Sequence, residues 1–152
     1  MAVWFHSRLR RWTIRQKVLE HLVRGILAQT DRAGAHISLT LVGRIGMRNL
    51  NQKYRNRDYP TDVLSFPTVQ MKQTGETFLG DVVICLPTAV SQASTYGNTS
   101  DQEFLRLLIH GVLHLLGYDH ETSFPEAKRM QRKERAIFQR LSPVPKIIER
   151  PH

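Results

Sequence analysis

The chain has 152 residues, 41% of them hydrophobic, which is ordinary for a globular protein and predicts one domain with a sizeable core. Its formal net charge of +9, from 22 Lys and Arg against 13 Asp and Glu, favours a polyanionic partner such as RNA over a basic protein without one. The only cysteine, Cys85, excludes a disulfide framework, and no apolar run approaches the roughly 18 residues of a membrane span, so we expect a protein of the reducing cytoplasm without membrane partners.

The first third of the chain predicts a helix, a strand and a second helix. Residues 1–30 are rich in arginine and nearly free of acids, as in a mitochondrial transit peptide. We prefer a domain helix over 13–28, capped by Thr13, because apolar residues recur there at four-residue steps. Alternation with period two then predicts a strand over 36–42, and apolar residues on one face predict a short helix over 46–54.

The middle of the chain predicts two strands and a helix. A strand over 62–66 follows a proline, and a polar loop is expected over 71–77. The run 81–85 is almost wholly apolar, which predicts a central strand of the sheet. Cys85 ends this run, so we interpret it as a buried strand residue and not as a nucleophile. A helix over 87–96 follows, with a proline among its first residues.

The last third predicts two helices and a tail. Ser100 and Glu103 match a capping-box pattern, which predicts a helix over 101–116. The same pattern recurs at the start of a last helix over 123–141, and the tail from about 142 is predicted to be flexible. Separated strands and helices of this kind favour a single α+β domain, with a small mixed β-sheet packed with about five helices.

Three histidines stand close together at the end of the helix predicted over 101–116. Four residues turn a helix by about 400°, so His110 and His114 project from nearly the same face and can share one metal ion. Gly117 can adopt the left-handed conformation that ends a helix, so the chain can turn back and bring His120 to the same ion. Three protein nitrogens leave a fourth position open for water, as in catalytic zinc sites. A buried helix that merely carries histidines is the alternative, and the spacing disfavours it.

The motif also resembles the long zinc signature of metalloproteases, H-E-x-x-H-x-x-G-x-x-H. In those enzymes the glutamate at the second position is the general base, whereas this chain has Gly111 there. Peptide hydrolysis by that mechanism is therefore disfavoured. The reaction must take its base from elsewhere or rely on the metal-bound hydroxide alone.

Further blocks of residues carry a more specific resemblance. They are residues 47–55 (MRNLNQKYR), 60–67 (PTDVLSFP) and 79–84 (LGDVVI). Together with the histidine motif, they resemble the YbeY family of bacterial endoribonucleases over roughly residues 36–141. The resemblance implies a single-strand-specific, metal-dependent endoribonuclease that acts in 16S rRNA 3′-end maturation and ribosome quality control. The implied partners are single-stranded RNA, 16S rRNA and the ribosome or its small subunit.

The resemblance also assigns roles to particular residues. It implies that His110, His114 and His120 hold one Zn²⁺ per chain, and that the arginine at position 55 is functional. An arginine fork suits this chemistry because negative charge builds on the phosphoryl oxygens during cleavage. Without the family, Arg55 would be read as an ordinary arginine at a helix end. The nucleophile stays open between a metal-activated water and the ribose 2′-OH.

Other residues near these motifs have less distinct roles. Asp62 and Asp119 are candidates for supporting a ligand histidine, although Asp62 can also act as a base or cap a turn. Tyr118 can stack on a base but is more typical of the core, and Ser65 is interpreted as a packing residue. Basic clusters at both ends of the chain are either solvated helix faces or an RNA track; they comprise Arg8, Arg10, Arg11, Arg15, Lys128, Arg129, Arg132, Lys133, Arg135 and Arg140.

Two other functions stay open on the sequence. One is a metal-dependent hydrolase of another substrate, such as a peptidase, which the glycine at position 111 disfavours. The other is a non-catalytic ribosome-assembly factor in which zinc only joins helix to loop. Three ligands without an evident fourth side chain disfavour that reading, since structural zinc usually has four protein ligands.

Overall fold

The computed structural model describes residues 2–71 and 77–149, so the interior of the loop predicted over 71–77 lies outside the described residues. The strands are β1 Val3–Ser7, β2 Thr13–Ile14, β3 His36–Val42, β4 Val63–Met71, β5 Thr77–Cys85 and β6 Ile148–Glu149. The α-helices are α1 Gln16–Ala28, α2 Arg44–Arg55, α3 Leu86–Ala93, α4 Ser100–Leu115 and α5 Phe124–Leu141. The prediction of a single α+β domain with a small mixed sheet and about five helices is confirmed.

The main sheet has the strand order β1-β3-β5-β4. The strands β1, β3 and β5 run parallel, and β4 pairs antiparallel with β5. The predicted central position of the strand over 81–85 is confirmed, because β5 has a hydrogen-bonded neighbour on each side. Val82, Val83 and Ile84 are all buried, since both faces of β5 are covered.

The two faces of β5 belong to two apolar clusters. Val82 and Ile84 pack in the larger cluster, together with apolar residues of α1, α4 and α5. Val83 packs in the smaller one, where Met47 of α2 and Leu64 of β4 meet it. The sheet is therefore covered by α4 on one face and α2 on the other. The functional motifs lie on these two helices and on β4. The sheet therefore brings the motifs to one region of the fold.

The amino-terminal segment differs from its prediction in part. The domain helix is confirmed, and its apolar face, including Leu19 and Ile26, is fully buried. The helix begins at Gln16, however, and Thr13 does not cap it. Thr13 instead lies in β2, where it pairs with Glu149 of β6. The sequence pattern extended the helix too far because a short strand joins it directly.

The prediction of a flexible tail from about 142 is wrong for residues 142–149. Ile147 and Ile148 are buried, and their backbone N–H groups donate to the Asp101 carboxylate at 3.0 and 2.8 Å. The tail therefore packs across the first turn of α4 and pairs with β2. Across residues 2–71 and 77–149, no helix has the length and apolarity that a bilayer span requires.

Candidate metal centre and active site

The three histidines converge as their spacing predicts. His110 and His114 lie one turn apart on α4, and Gly117 ends the helix with a left-handed φ of 94°. The loop then returns His120 to the helix end. The Nε2 atoms of His110 and His114 are 3.1 Å apart, and Nδ1 of His120 is 3.1 Å from Nε2 of His114. Among the described residues, these three histidines form the group of potential metal ligands whose ligand atoms all lie within 4.8 Å of one another.

The outer hydrogen bonds of two histidines indicate which ring nitrogens carry protons. Nδ1 of His110 lies 2.9 Å from a carboxylate oxygen of Glu134, and His114 is hydrogen bonded to the backbone of Tyr118. Protons held at these outer positions leave lone pairs on the two Nε2 atoms that face each other. Two lone pairs at 3.1 Å repel unless a cation lies between them. Tetrahedral ligands about 2.1 Å from an ion are about 3.4 Å apart, so this donor set fits a divalent metal.

The protonation of His114 is also suited to metal binding. Burial lowers the pKa of His114 below its ordinary value, and the nearby His110 and His120 lower it further. The hydrogen bond to Tyr118 and the charge of Asp119 act in the opposite direction without reversing the shift. The imidazole is therefore neutral at neutral pH, which is the form that binds metal ions.

Glu134 is a residue of the site that sequence reasoning missed. Its carboxylate reaches His110 from α5, and its side chain is 19% exposed. The carboxylate accepts the Nδ1 proton of His110 and so holds the ring with Nε2 toward the other histidines. A signal was present, because Glu134 falls one helical turn from Met130 and Ile137, both fully buried. The acid thus lies on the inward face of a helix whose other charged residues are mostly basic.

A cavity of about 420 Å³ opens onto the histidines. Arg55, at the end of α2, lines it, although helix and histidines are far apart in sequence. One Nη of Arg55 donates to the backbone carbonyl of Ser65 at 3.2 Å, which ties the guanidinium to β4. That bond uses one of five N–H donors and leaves the planar fork available for an anion.

Asp62 and Asp119 also line this cavity, but their described hydrogen bonds serve other groups. Asp62 accepts from the amide of Gln92 at 3.0 Å, and Asp119 accepts the backbone N–H of Glu121 at 2.8 Å. The first bond ties the cavity wall to α3, and the second closes the turn that carries His120. Within residues 2–71 and 77–149, the carboxylate that hydrogen bonds to a histidine of the cluster is that of Glu134.

The position of the protease base has no room for a side chain. A Cβ built on Gly111 would lie 2.6 Å from a methyl group of Val82 and 3.3 Å from the hydroxyl of Ser65. That hydroxyl donates to the Gly111 carbonyl at 2.9 Å, so α4 is held directly against β4 and β5. Ser65 is buried in this contact, as its interpretation as a packing residue predicts. The glycine is therefore required by the close approach of helix and sheet, and a glutamate does not fit there.

We predict that Gly111→Ala lowers the free energy of unfolding by about 1–3 kcal/mol, because the added methyl group must push α4 away from Val82. Gly46→Ala is the matched control. Gly46 also lies within a helix, but its Cβ would stand 3.5 Å from Val42, which is ordinary contact. Alanine there should be neutral or stabilising by up to about 1 kcal/mol. Urea unfolding midpoints of the two variants test this, and equal midpoints would contradict the close approach.

The aromatic and basic residues beside the site are partly engaged within the fold. Tyr118 packs against the core and also lines the cavity, and the Arg129 guanidinium lies 4.6 Å from its ring centroid. Lys133 donates to the backbone carbonyl of Gln29 at 2.6 Å and so joins α5 to the end of α1. The basic run on α5 is therefore in part structural.

A three-histidine centre on a helix end, opening on a cavity with an arginine, defines the class of candidate metal-dependent hydrolases that act on anionic substrates. The family model described as Endoribonuclease YbeY matches residues 6–142, and the chain belongs to the YbeY family. This confirms the resemblance drawn from the sequence blocks.

Individual relatives agree with the family assignment. The chain is 43% identical over 129 residues to a protein of Sulfurihydrogenibium named Endoribonuclease YbeY, with 85% of each chain covered. It is 46% identical over 107 residues to the Thermodesulfovibrio yellowstonii protein of that name, covering 70% of this chain and 67% of the relative. The solution structure of TM1509 from Thermotoga maritima is 29% identical, with a TM-score of 0.61 over 90% of this chain and 87% of that one.

Proposed function

We propose that the protein is a zinc-dependent endoribonuclease that cleaves single-stranded RNA. Its substrate is 16S rRNA, whose 3′ end it matures in the cytoplasm, and it also acts on defective ribosomes or their small subunits. Membership of the YbeY family supports RNA as the substrate. The observation that carries the proposal is the set of three histidine nitrogens, two pairs of them 3.1 Å apart, in a cavity that Arg55 also lines.

In this proposal, His110, His114 and His120 hold one zinc ion per chain. An all-imidazole donor set suits zinc better than magnesium or calcium, which prefer oxygen ligands. A bound zinc ion supplies Lewis acidity and lowers the pKa of a coordinated water. Glu134 keeps the His110 ring in the orientation that ligation needs. The neutral state of His114 means that no proton has to be displaced from it near neutral pH.

Arg55 is the residue that we assign to the phosphate. Cleavage of a phosphodiester increases the negative charge on the phosphoryl oxygens, and a guanidinium contacts two of them at once. The hydrogen bond to the Ser65 carbonyl fixes the position of this guanidinium before RNA binds. A charge held in place in this way stabilises the transition state without being reorganised during the reaction.

Cleavage assays on three substrates test the proposal against its alternatives. Zinc-loaded protein is incubated with an end-labelled single-stranded RNA, the duplex of the same sequence and an unfolded protein. We expect scission of the single strand alone. Proteolysis without RNA cleavage would indicate a peptidase. The absence of any cleavage, with zinc bound, would indicate an assembly factor with structural zinc.

We predict that Glu134→Ala lowers the affinity for zinc by about 10–100-fold, because His110 loses the carboxylate that orients its ring. Glu134→Gln should be intermediate, since its amide oxygen still accepts the Nδ1 proton but carries no charge. Competition with a chelator of known affinity measures both values. Glu126→Ala is the control, because Glu126 lies on the same helix and contacts Arg129 at 3.4 Å. An equal loss in the control would mean that Glu134 acts only through the stability of α5.

We predict that binding of single-stranded RNA weakens steeply with salt. The motivation is the net charge of +9 and the basic clusters at both ends of the chain. If six or more phosphates are contacted, the association constant should fall about a thousandfold between 50 and 200 mM salt. Replacing Arg132 and Arg135 by glutamine should reduce the slope, whereas Lys133 is left in place because it joins two helices. An association constant that does not change with salt would show that α5 does not bind RNA phosphates.

A further inference from the structure

We propose that the loop over residues 56–62 is a nucleotide-binding subsite, in which the ring of Tyr59 stacks on an unpaired base and Arg57 binds the adjoining phosphate. The inference rests on the proposed function and adds a residue that selects the substrate. Both side chains line the cavity that contains the histidines and Arg55. The subsite thus lies beside the position where the scissile phosphate is expected.

The loop is held in place by contacts from α2 to the two residues that follow Arg57. Arg48 of α2 makes a two-pronged ion pair with Asp58, at 2.8 and 3.1 Å. Asn51, which is 2% exposed, donates its side-chain amide to the backbone carbonyl of Tyr59 at 2.8 Å. A buried amide that holds a loop carbonyl fixes the backbone on which Tyr59 stands. The tyrosine is therefore positioned before a ligand arrives, which reduces the entropy lost on binding.

The ring of Tyr59 differs in its surroundings from the other exposed tyrosines. Tyr54 packs edge-on against Phe66, with ring centroids 5.2 Å apart, and Tyr96 lies beneath Arg106 at 5.3 Å. In the described part of the chain, no aromatic ring packs against that of Tyr59, which is 50% exposed. The Arg57 guanidinium donates to its hydroxyl at 3.4 Å, at the edge of the ring, so this contact leaves the ring faces accessible.

An aromatic face and an arginine two residues apart on one loop match the repeat of a single-stranded nucleic acid, in which bases and phosphates alternate. A base–aromatic stack tolerates any base, because every base has a π-face. A base within a duplex is already stacked on its neighbours and paired, so it is not available to Tyr59. The subsite therefore gives a physical reason for preferring single strands without reading their sequence.

The test compares Tyr59→Leu with Tyr59→Phe, in cleavage and in equilibrium binding of a short single-stranded RNA. We expect leucine to raise KM and Kd about tenfold while kcat and zinc content stay unchanged, and phenylalanine to keep near wild-type values. Arg57→Gln should raise Kd severalfold. Tyr96→Leu is the matched control, since Tyr96 is also an exposed tyrosine, at 62%, but does not line the cavity, and we expect it to change neither constant.

A second arm shows whether the effect comes from stacking. Abasic nucleotides are introduced singly along the RNA, and one of them should weaken wild-type binding about tenfold but leave Tyr59→Leu binding unchanged. Equal Kd values for wild type and Tyr59→Leu, with RNA cleavage intact, would overturn the subsite and leave the proposed function standing. An abasic effect of the same size in both proteins would also overturn it. Absence of RNA cleavage by the wild type would instead overturn the proposed function.

Discussion

Replacing His114 by alanine should remove most of the bound zinc and abolish RNA cleavage. His114 is central in the cluster, because its Nε2 atom is 3.1 Å from the facing nitrogens of both His110 and His120. Its loss leaves only His110 and His120 as ligands, without the histidine that lies between them. Loss of an outer hydrogen-bond partner already costs about 10–100-fold in metal affinity, and loss of a ligand should cost more. Elemental analysis of the purified variant, after dialysis against a weak chelator, measures the change.

The matched control is His21→Ala, since His21 is exposed on α1 and does not line the cavity. Both variants should retain the circular dichroism of the wild type, because His114 is half-buried at the end of a helix and its truncation removes no core side chain. Replacement of all three histidines should leave the protein free of zinc. Undiminished zinc in that triple variant would refute the ligand assignment, whatever its effect on activity.

The metal site was predictable from sequence because its geometry is local. His110 and His114 are related by one helical turn, and Gly117 ends the helix within three residues. Glu134 and Arg55 reach the same place from other elements, and no local spacing relates them to the histidines. Burial of Met130 and Ile137 beside Glu134 indicates only that this acid points inward. Which side chain it meets depends on how α5 packs against α4.

The strands that the sequence did not predict are those whose pairing is remote. The strand β1 has only five residues, and its first three are all apolar although Trp4 is exposed, so the sequence shows no alternation of apolar and polar residues there. It exists because Val3 to Ser7 pair in register with residues 37–41 of β3. Pairing between β2 and β6 joins Thr13 to Glu149 across nearly the whole chain. Two-residue strands carry no periodicity, so only the folded chain reveals them.

The start of α4 shows how a correct motif can be placed one residue off. Ser100 with Glu103 and Thr99 with Gln102 both match the capping-box pattern. Thr99 is the true cap, with its hydroxyl accepting from Gln102 and the Gln102 side chain reaching back. Glu103 is instead fully buried, and hydrogen bonds from Arg106, Gln92 and Asn98 hold its pKa below the ordinary value although burial opposes this. Tertiary contacts therefore decide between two equivalent local patterns.

Arg55→Ala should keep the fold and the zinc but lose about a hundredfold in the rate of RNA cleavage. The guanidinium stands in the same cavity as the histidines and is tied to the Ser65 carbonyl by a single hydrogen bond. Removing one such charge-assisted contact to the developing charge should cost on the order of 3 kcal/mol of transition-state stabilisation. Arg55→Lys should recover only part of this, because an ammonium group does not bind two phosphate oxygens in a plane.

Single-turnover rates at saturating protein distinguish this loss from weaker binding of RNA. Arg44→Ala is the control, since Arg44 lies at the other end of α2 and hydrogen bonds to Ser91. It removes the same charge from the same helix without touching the cavity, so long-range attraction of RNA falls equally in both variants. A hundredfold deficit confined to Arg55→Ala would therefore assign the arginine to the reacting phosphate. Wild-type rates in Arg55→Ala, with full zinc occupancy, would show that Arg55 is only a surface charge.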